Sequence, residues 1–197
     1  MKINDLFDAV IVLNLDRRSD KLESITYQLN KLGITWLRWP AIDNLNTDMT
    51  PIFCNVMNGL NRLLYAQFKE YKTVLLLDDD CEFVDNFYEK LEQVWQEIPS
   101  DWDTVSFGDH LIRYESITDR VKKIQESFGS HAMAVKLSCV PILFETLQGK
   151  TFADIELNKA SDKLNRYAIE PGLVGQGRYV SDLIADIRPN NIYNLWQ

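Results

Sequence analysis

Four apolar runs of strand length punctuate the first half of the chain, and a helical pattern of apolar residues lies in each gap between them. The runs are "DAVIVLN" (Asp8–Asn14), "ITWLRW" (Ile34–Trp39), "TVLLL" (Thr73–Leu77) and "DTVSF" (Asp103–Phe107). Between the first two, Leu22, Ile25, Leu29 and Leu32 recur on one helical face, and Asp20 with Glu23 predicts a capping box at the start of that helix. Val56, Leu60, Leu63, Leu64 and Phe68 mark a second helix, and Phe87, Leu91, Val94 and Trp95 a third. Strand–helix alternation of this kind predicts an α/β fold, an open, mostly parallel sheet with helices on both faces. Nearly continuous apolar strands agree, because such a sheet is buried on both sides. Ligands of open α/β sheets bind beyond the carboxyl ends of the strands. The segments to inspect are therefore Asn14–Arg18, Ala41–Asn44, Asp78–Asp80 and Gly108–His110.

Beyond that point the pattern loosens. Ile112–Ser130 is polar and reads as a loop with some helix. "HAMAVKL" predicts a fifth strand, Val140–Gln148 and Phe152–Leu164 predict helices, and the tail from Arg166 reads as irregular, with "EPGLVGQG" a loop.

The third strand runs directly into Asp78, Asp79 and Asp80. In an extended chain Asp78 and Asp80 point one way and Asp79 the other. Two carboxylates side by side at a sheet edge form half a site for Mg²⁺ or Mn²⁺, which take oxygen ligands and are often held by one or two carboxylates plus substrate phosphates. The alternative is a solvated acidic turn capping a strand or helix. Arg17 and Arg18 lie at the end of the first strand, just before a helix N-terminus that favours anions, with Lys21 close by. They could clamp a diphosphate, or simply neutralise Asp16 and Asp20. Taken together, cations for phosphate oxygens and carboxylates for a bridging metal describe a site for a nucleotide-diphosphate donor.

Net charge narrows the partners. At −8 the chain repels phosphate backbones, which argues against nucleic-acid binding. The three cysteines, Cys54, Cys81 and Cys139, have neither even number nor C-x-x-C spacing, so no disulfide framework or zinc knuckle is expected and a reducing cytoplasm fits. No apolar run reaches the ~20 residues of a membrane span. The first apolar run follows acidic residues and precedes no cleavage signature, so it reads as a strand rather than a signal peptide. The expected location is cytoplasmic, or peripheral to a membrane.

The ordered motifs resemble glycosyltransferase family 25, whose members include lipopolysaccharide and collagen-type galactosyltransferases. The resemblance runs from roughly Phe7 to Leu183 and is carried by "LNLDRRSDK", "PAIDN", "LDDD", "WDTVSFG", "GSHAMAV" and "PGLVGQGRYVSDL". Three departures stand out. "PIFCNVMNGLNRL" keeps only Cys54 of the family element before the third strand, Asp78 replaces a glutamate, and Asn44 stands where glycine is common.

What the resemblance implies is one GT-A-type domain over residues 1–197, with 1–108 as the nucleotide-sugar half and 109–197 as the acceptor half and closing tail. It implies an inverting, metal-dependent transfer from a nucleotide sugar, UDP-hexose being the family's donor type, to a hydroxyl of a glycan, lipid-linked saccharide or other acceptor. Asp78 and Asp80 would hold Mn²⁺ or Mg²⁺. Asn14, Arg17, Arg18, Asp43, Asp79, His131, Gln176, Ser181 and Asp182 would contact the donor, the last three from a closing loop. Asp154 would be the general base, with Glu156 and Asp109 as rivals. From the residues alone, Asp43 and Asp154 are equally a turn residue and a helix-start residue, and His131 is equally structural. Two other classes compete. A non-catalytic nucleotide-sugar or carbohydrate-binding module would keep the same scaffold. A haloacid-dehalogenase-type phosphotransferase would also place D-x-D after an apolar strand, but after the first strand and with Thr or Val where Glu82 stands.

Overall fold

The structure is a computed structural model and describes residues 1–179, 182, 195 and 196. A short helix α1 (Ile3–Leu6) leads into β1 (Ala9–Asn14), α2 (Ser19–Lys31) and β2 (Leu37–Pro40). A long α3 (Pro51–Phe68) precedes β3 (Thr73–Asp78), the short β4 (Cys81–Phe83), α4 (Phe87–Trp95) and β5 (Thr104–Ser106). The chain then forms β6 (His110–Ser116), β7 (Val121–Phe128) and β8 (Ala132–Lys136), two helices α5 (Val140–Thr146) and α6 (Ala153–Asn158), and finally β9 (Arg166–Ile169) and β10 (Val174–Gln176).

Eight strands form one sheet in the order β2-β1-β3-β8-β5-β9-β7-β6, and β10 pairs with β4 beside it. Only β8 and β7 are antiparallel to both neighbours, so six of the eight strands run the same way. The open, helix-flanked sheet is the one the alternation predicts. The strand period explains its two cores. Val10, Val12, Leu75 and Leu77 face a cluster with Ile25 and Leu29 of α2 and Leu91 of α4. Ile11, Val74 and Leu76 face the opposite cluster, with Leu60 and Leu63 of α3 and Leu143 of α5. Each of these buried aliphatic side chains contributes about 1.5–3 kcal/mol, which is why β1 and β3 carry apolar residues on both faces.

Several local expectations are corrected. The capping box on Asp20 does not form: Arg18 is the N-cap of α2, no side chain caps it, and Asp20 instead pairs with Arg18 at 2.8 Å. The predicted loop at 112–130 is a β-hairpin. It reads as a loop because β6 is an edge strand, exposed along most of its length, and polar residues suit an edge. The tail is not irregular at its start. β9 is wholly buried between β5 and β7, and its Arg166 donates from Nη1 to Leu157 O at 2.9 Å and Ser161 Oγ at 2.8 Å. An arginine and a tyrosine in a four-residue strand hide its apolar character from any pattern reading.

Candidate functional site

The carboxyl ends of β1 and β3 open into a cavity of about 110 Å³. Its floor is Asp78, Asp79 and Asp80, and Asn14 and Lys21 stand beside them. The loop after β2 (Ala41, Ile42, Asn44) and the first half of α3 (Cys54, Asn55, Asn58) form the walls, while Gln176 and Asp182 close the edge. Local chemistry fixes these pieces. Thr50 caps α3 by accepting from Phe53 N–H at 3.2 Å, with Pro51 at the first position. Asn58 clasps the loop after β2, accepting from Ile42 N–H at 2.7 Å and donating to Ile42 O at 3.2 Å.

The aspartates do not alternate as in an extended strand, because β3 ends at Asp78 and the chain turns. Asp79 accepts from Asn14 Nδ2 at 2.7 Å, and Asp80 from Gln176 Nε2 at 3.1 Å. Lys21 Nζ lies 3.6 Å from Asp79, 3.3 Å from Asp80 and 3.1 Å from Asp182. Asp78 faces Arg62 Nη2 at 3.7 Å instead. Asp79 and Asp80 thus share one ammonium while Asp78 meets Arg62, and all three carboxylates line the cavity.

Burial pushes the Asp78 carboxyl up to about 7, with Arg62 pulling against it and Asp80 and Asp79 adding to it. A third of that side chain opens into the cavity, so this is a recessed carboxylate rather than a sealed one. Burial also raises Asp79, against Lys21 and Asn14. For Lys21, burial works to lower the ammonium, but Asp80, Asp79 and Asp182 outweigh it and hold it above the ordinary lysine value.

Arg17 and Arg18 do not line the cavity. They meet it through Asp182, which accepts from Arg17 Nη1 at 2.7 Å and Arg18 Nη1 at 2.6 Å. Arg17 also donates to Asp43 at 2.7 Å, and Asp43 caps its own turn by accepting from Leu45 N–H at 3.1 Å, as its reading as a turn residue expects. His131 is buried and turned to Val174 O at 3.0 Å, a contact between β8 and β10 outside the cavity lining. That approach needs Gly108: a Cβ there would fall 1.7 Å from Val174 O. Ser181 lies outside the described residues.

The general-base candidates separate. Glu156 is consumed by four backbone N–H groups, Gln148 (2.7 Å), Gly149 (2.9 Å), Lys150 (2.9 Å) and Thr151 (3.2 Å), and holds the turn between α5 and α6. Asp109 is buried beneath the hydroxyls of Ser106 and Ser127. Asp154 is half-buried at the start of α6, accepts from Gly129 N–H at 3.0 Å, and does not line the cavity.

Sequence reasoning missed Asn55, Asn58 and Arg62. Their signal is a polar stripe at positions i, i+3 and i+7 on an otherwise apolar helix, with Gly59 at i+4.

Four carboxylates and one ammonium line the cavity, so an incoming diphosphate needs added positive charge there. Among the described residues no three His, Cys, Asp or Glu side chains are arranged to hold an ion by themselves. The donor set fits a hard divalent cation that takes one or two carboxylates here and its other ligands from phosphate and water.

No protein-family profile matches the sequence, and no curated protein matches it. Solved structures do resemble it. "A197 from STIV" superposes with a TM-score of 0.53 at 13% identity, covering 93% of this chain and 94% of that one. A "glycosyltransferase involved in the glycosylation of the major capsid of PBCV-1" superposes with a TM-score of 0.53 at 10% identity, covering 88% of this chain and 95% of that one. Likeness at this level establishes the fold, a Rossmann-like open sheet of the GT-A glycosyltransferase kind.

Proposed function

We propose that this chain is a metal-dependent glycosyltransferase that moves a sugar, hexose being the family's type, from a nucleoside diphosphate to a hydroxyl acceptor with inversion. The observation that carries this reading is the acidic cavity at the carboxyl ends of β1 and β3, where Asp78, Asp79 and Asp80 meet Lys21. It lies where open α/β sheets bind ligands. Asp80, with Asp78, would hold Mn²⁺ or Mg²⁺, which when bound neutralises charge on a departing diphosphate.

The protein's own groups do the rest. Lys21 supplies a fixed positive charge at the cavity wall, preorganised by its carboxylate neighbours. Asn14 and Gln176 orient Asp79 and Asp80. Arg17 and Arg18 hold Asp182, whose carboxylate occupies the cations that the diphosphate would use, so donor entry exchanges one anion for another. Asp154 would take the acceptor's proton from beside the cavity; it is more exposed than Asp109 and Glu156, which are buried among structural hydrogen bonds.

The test is melting temperature with Mn²⁺ and a panel of nucleotide sugars, followed by transfer to mixed acceptors. A ligand at 100 times its Kd adds about 2.7 kcal/mol, a rise of roughly 5–10 °C for a chain of this size. Asp80→Ala should lose the metal-dependent part. No shift with any nucleoside diphosphate would refute the donor site. A shift without transfer would favour the non-catalytic binding module.

A further inference from the structure

A second, more enclosed cavity of about 50 Å³ adjoins the first and shares Leu13, Asn55 and Asp78 with it. It runs between α3 and the sheet. Two features of α3 mark it as more than a packing gap. Gly59 lies in the middle of the helix and lines the cavity, and a Cβ added there would meet nothing within 4 Å. Glycine inside a helix is unfavourable, and no close backbone approach or positive φ requires it here. What its missing side chain provides is open space. Three residues on, Arg62 also lines the cavity and is 94% buried. Its Nη1 donates to Leu77 O at 3.0 Å and its Nη2 faces Asp78, while its buried Nε has no hydrogen-bond partner among the described residues. The remaining wall is largely apolar, with Leu76, Met133 and Leu143 among its residues.

We propose that this cavity receives the acetamido group of a 2-acetamido sugar carried by the donor, which makes the preferred donor a nucleotide-linked N-acetylhexosamine rather than a plain hexose. The inference rests on the donor reading of the first cavity. Size agrees: at about 10–15 Å³ for each water-sized occupant, a cavity of about 50 Å³ takes a group of three to five heavy atoms. An acetamido group has the matching chemistry, a carbonyl oxygen for the side of the cavity that Arg62 lines and a methyl for the leucine and methionine wall. A plain hydroxyl would leave that wall uncovered. A diphosphate in the first cavity brings its sugar to the wall that the two cavities share at Asp78.

Calorimetric titration with Mn²⁺ present tests this, using UDP, UDP-glucose, UDP-galactose, UDP-N-acetylglucosamine and UDP-N-acetylgalactosamine. At least one acetamido donor should bind tenfold or more tighter than its hexose counterpart. Gly59→Leu, which fills the space, should erase that advantage while UDP, with no sugar to place, binds both proteins alike. Gly59→Ala, with no clash and better helix propensity, should melt no lower than the parent and show a reduced advantage. Equal affinity for both donor classes, with UDP bound, would overturn the subsite and leave the donor reading standing. Unchanged preference in Gly59→Leu would overturn it too. Failure of UDP itself to bind would remove the donor reading and the subsite together.

Discussion

Replacing Asp182 by asparagine should tighten binding of a nucleoside diphosphate. In the free protein the Asp182 carboxylate touches Arg17 at 2.7 Å, Arg18 at 2.6 Å and Lys21 at 3.1 Å. If the donor diphosphate uses those cations, it must first displace this internal anion. Arg17 is about a third exposed, so the contacts are partly screened and are valued as exposed to half-exposed pairs. At about 0.5–1 kcal/mol each, three contacts hold Asp182 by roughly 1.5–3 kcal/mol. Asparagine keeps the shape and one carbonyl acceptor but no charge, which leaves a net relief of about 1–2 kcal/mol, or roughly 5- to 30-fold in Kd. Titration calorimetry of UDP with Mn²⁺ at fixed ionic strength measures it. Raising salt should narrow the gap between the two proteins, because partly exposed charges are screened. Equal or weaker UDP binding by Asp182→Asn would refute the reasoning and make Asp182 a supporting ligand of the donor instead of its competitor.

Other outcomes follow from the same contacts. Lys21→Met leaves Asp79, Asp80 and Asp182 without their shared ammonium, and should weaken UDP binding in the presence of Mn²⁺ by about tenfold or more. Glu156→Gln leaves two of four backbone N–H groups facing an amide nitrogen; urea unfolding should show a loss of about 3–5 kcal/mol with unchanged m. Four backbone N–H donors hold the Glu156 carboxylate below its ordinary 4.5 although burial opposes them, so its contribution is full above that value and is lost as pH falls through the depressed one. Burial raises Asp109 from 3.8 to about 6 despite Ser106 and Ser127, so the folded state binds the extra proton and this group's effect is a loss of stability as pH rises from about 4 to 6. Asp109→Asn should remove that slope in denaturation curves taken across the same range.

Much of the fold was legible because strand and helix periods are local properties. Residues such as Val10, Ile11 and Val12 announce a strand buried on both faces without any knowledge of their neighbours. β6, β7 and β9 were not legible. An edge strand is polar where it faces solvent, and in β9 the Tyr167 hydroxyl finds Asp101 only once that distant segment arrives. The site divides in the same way. The end of β3 and the basic residues after β1 could be read from the chain, since strand ends carry ligands in this architecture. The partnership of Lys21 with Asp79 and Asp80 and the cavity-facing stripe of α3 could not.

The amino-acid order by itself determined the α/β class, the apolar runs of β1 and β3 and the acidic end of β3, because each depends on residues a few positions apart. Tertiary structure alone decided which carboxylate meets which cation, which acid is committed to backbone N–H groups, and where α3 leaves room. Those are matters of a few ångströms between residues far apart in the chain, and Coulomb and hydrogen-bond energies change over just that distance.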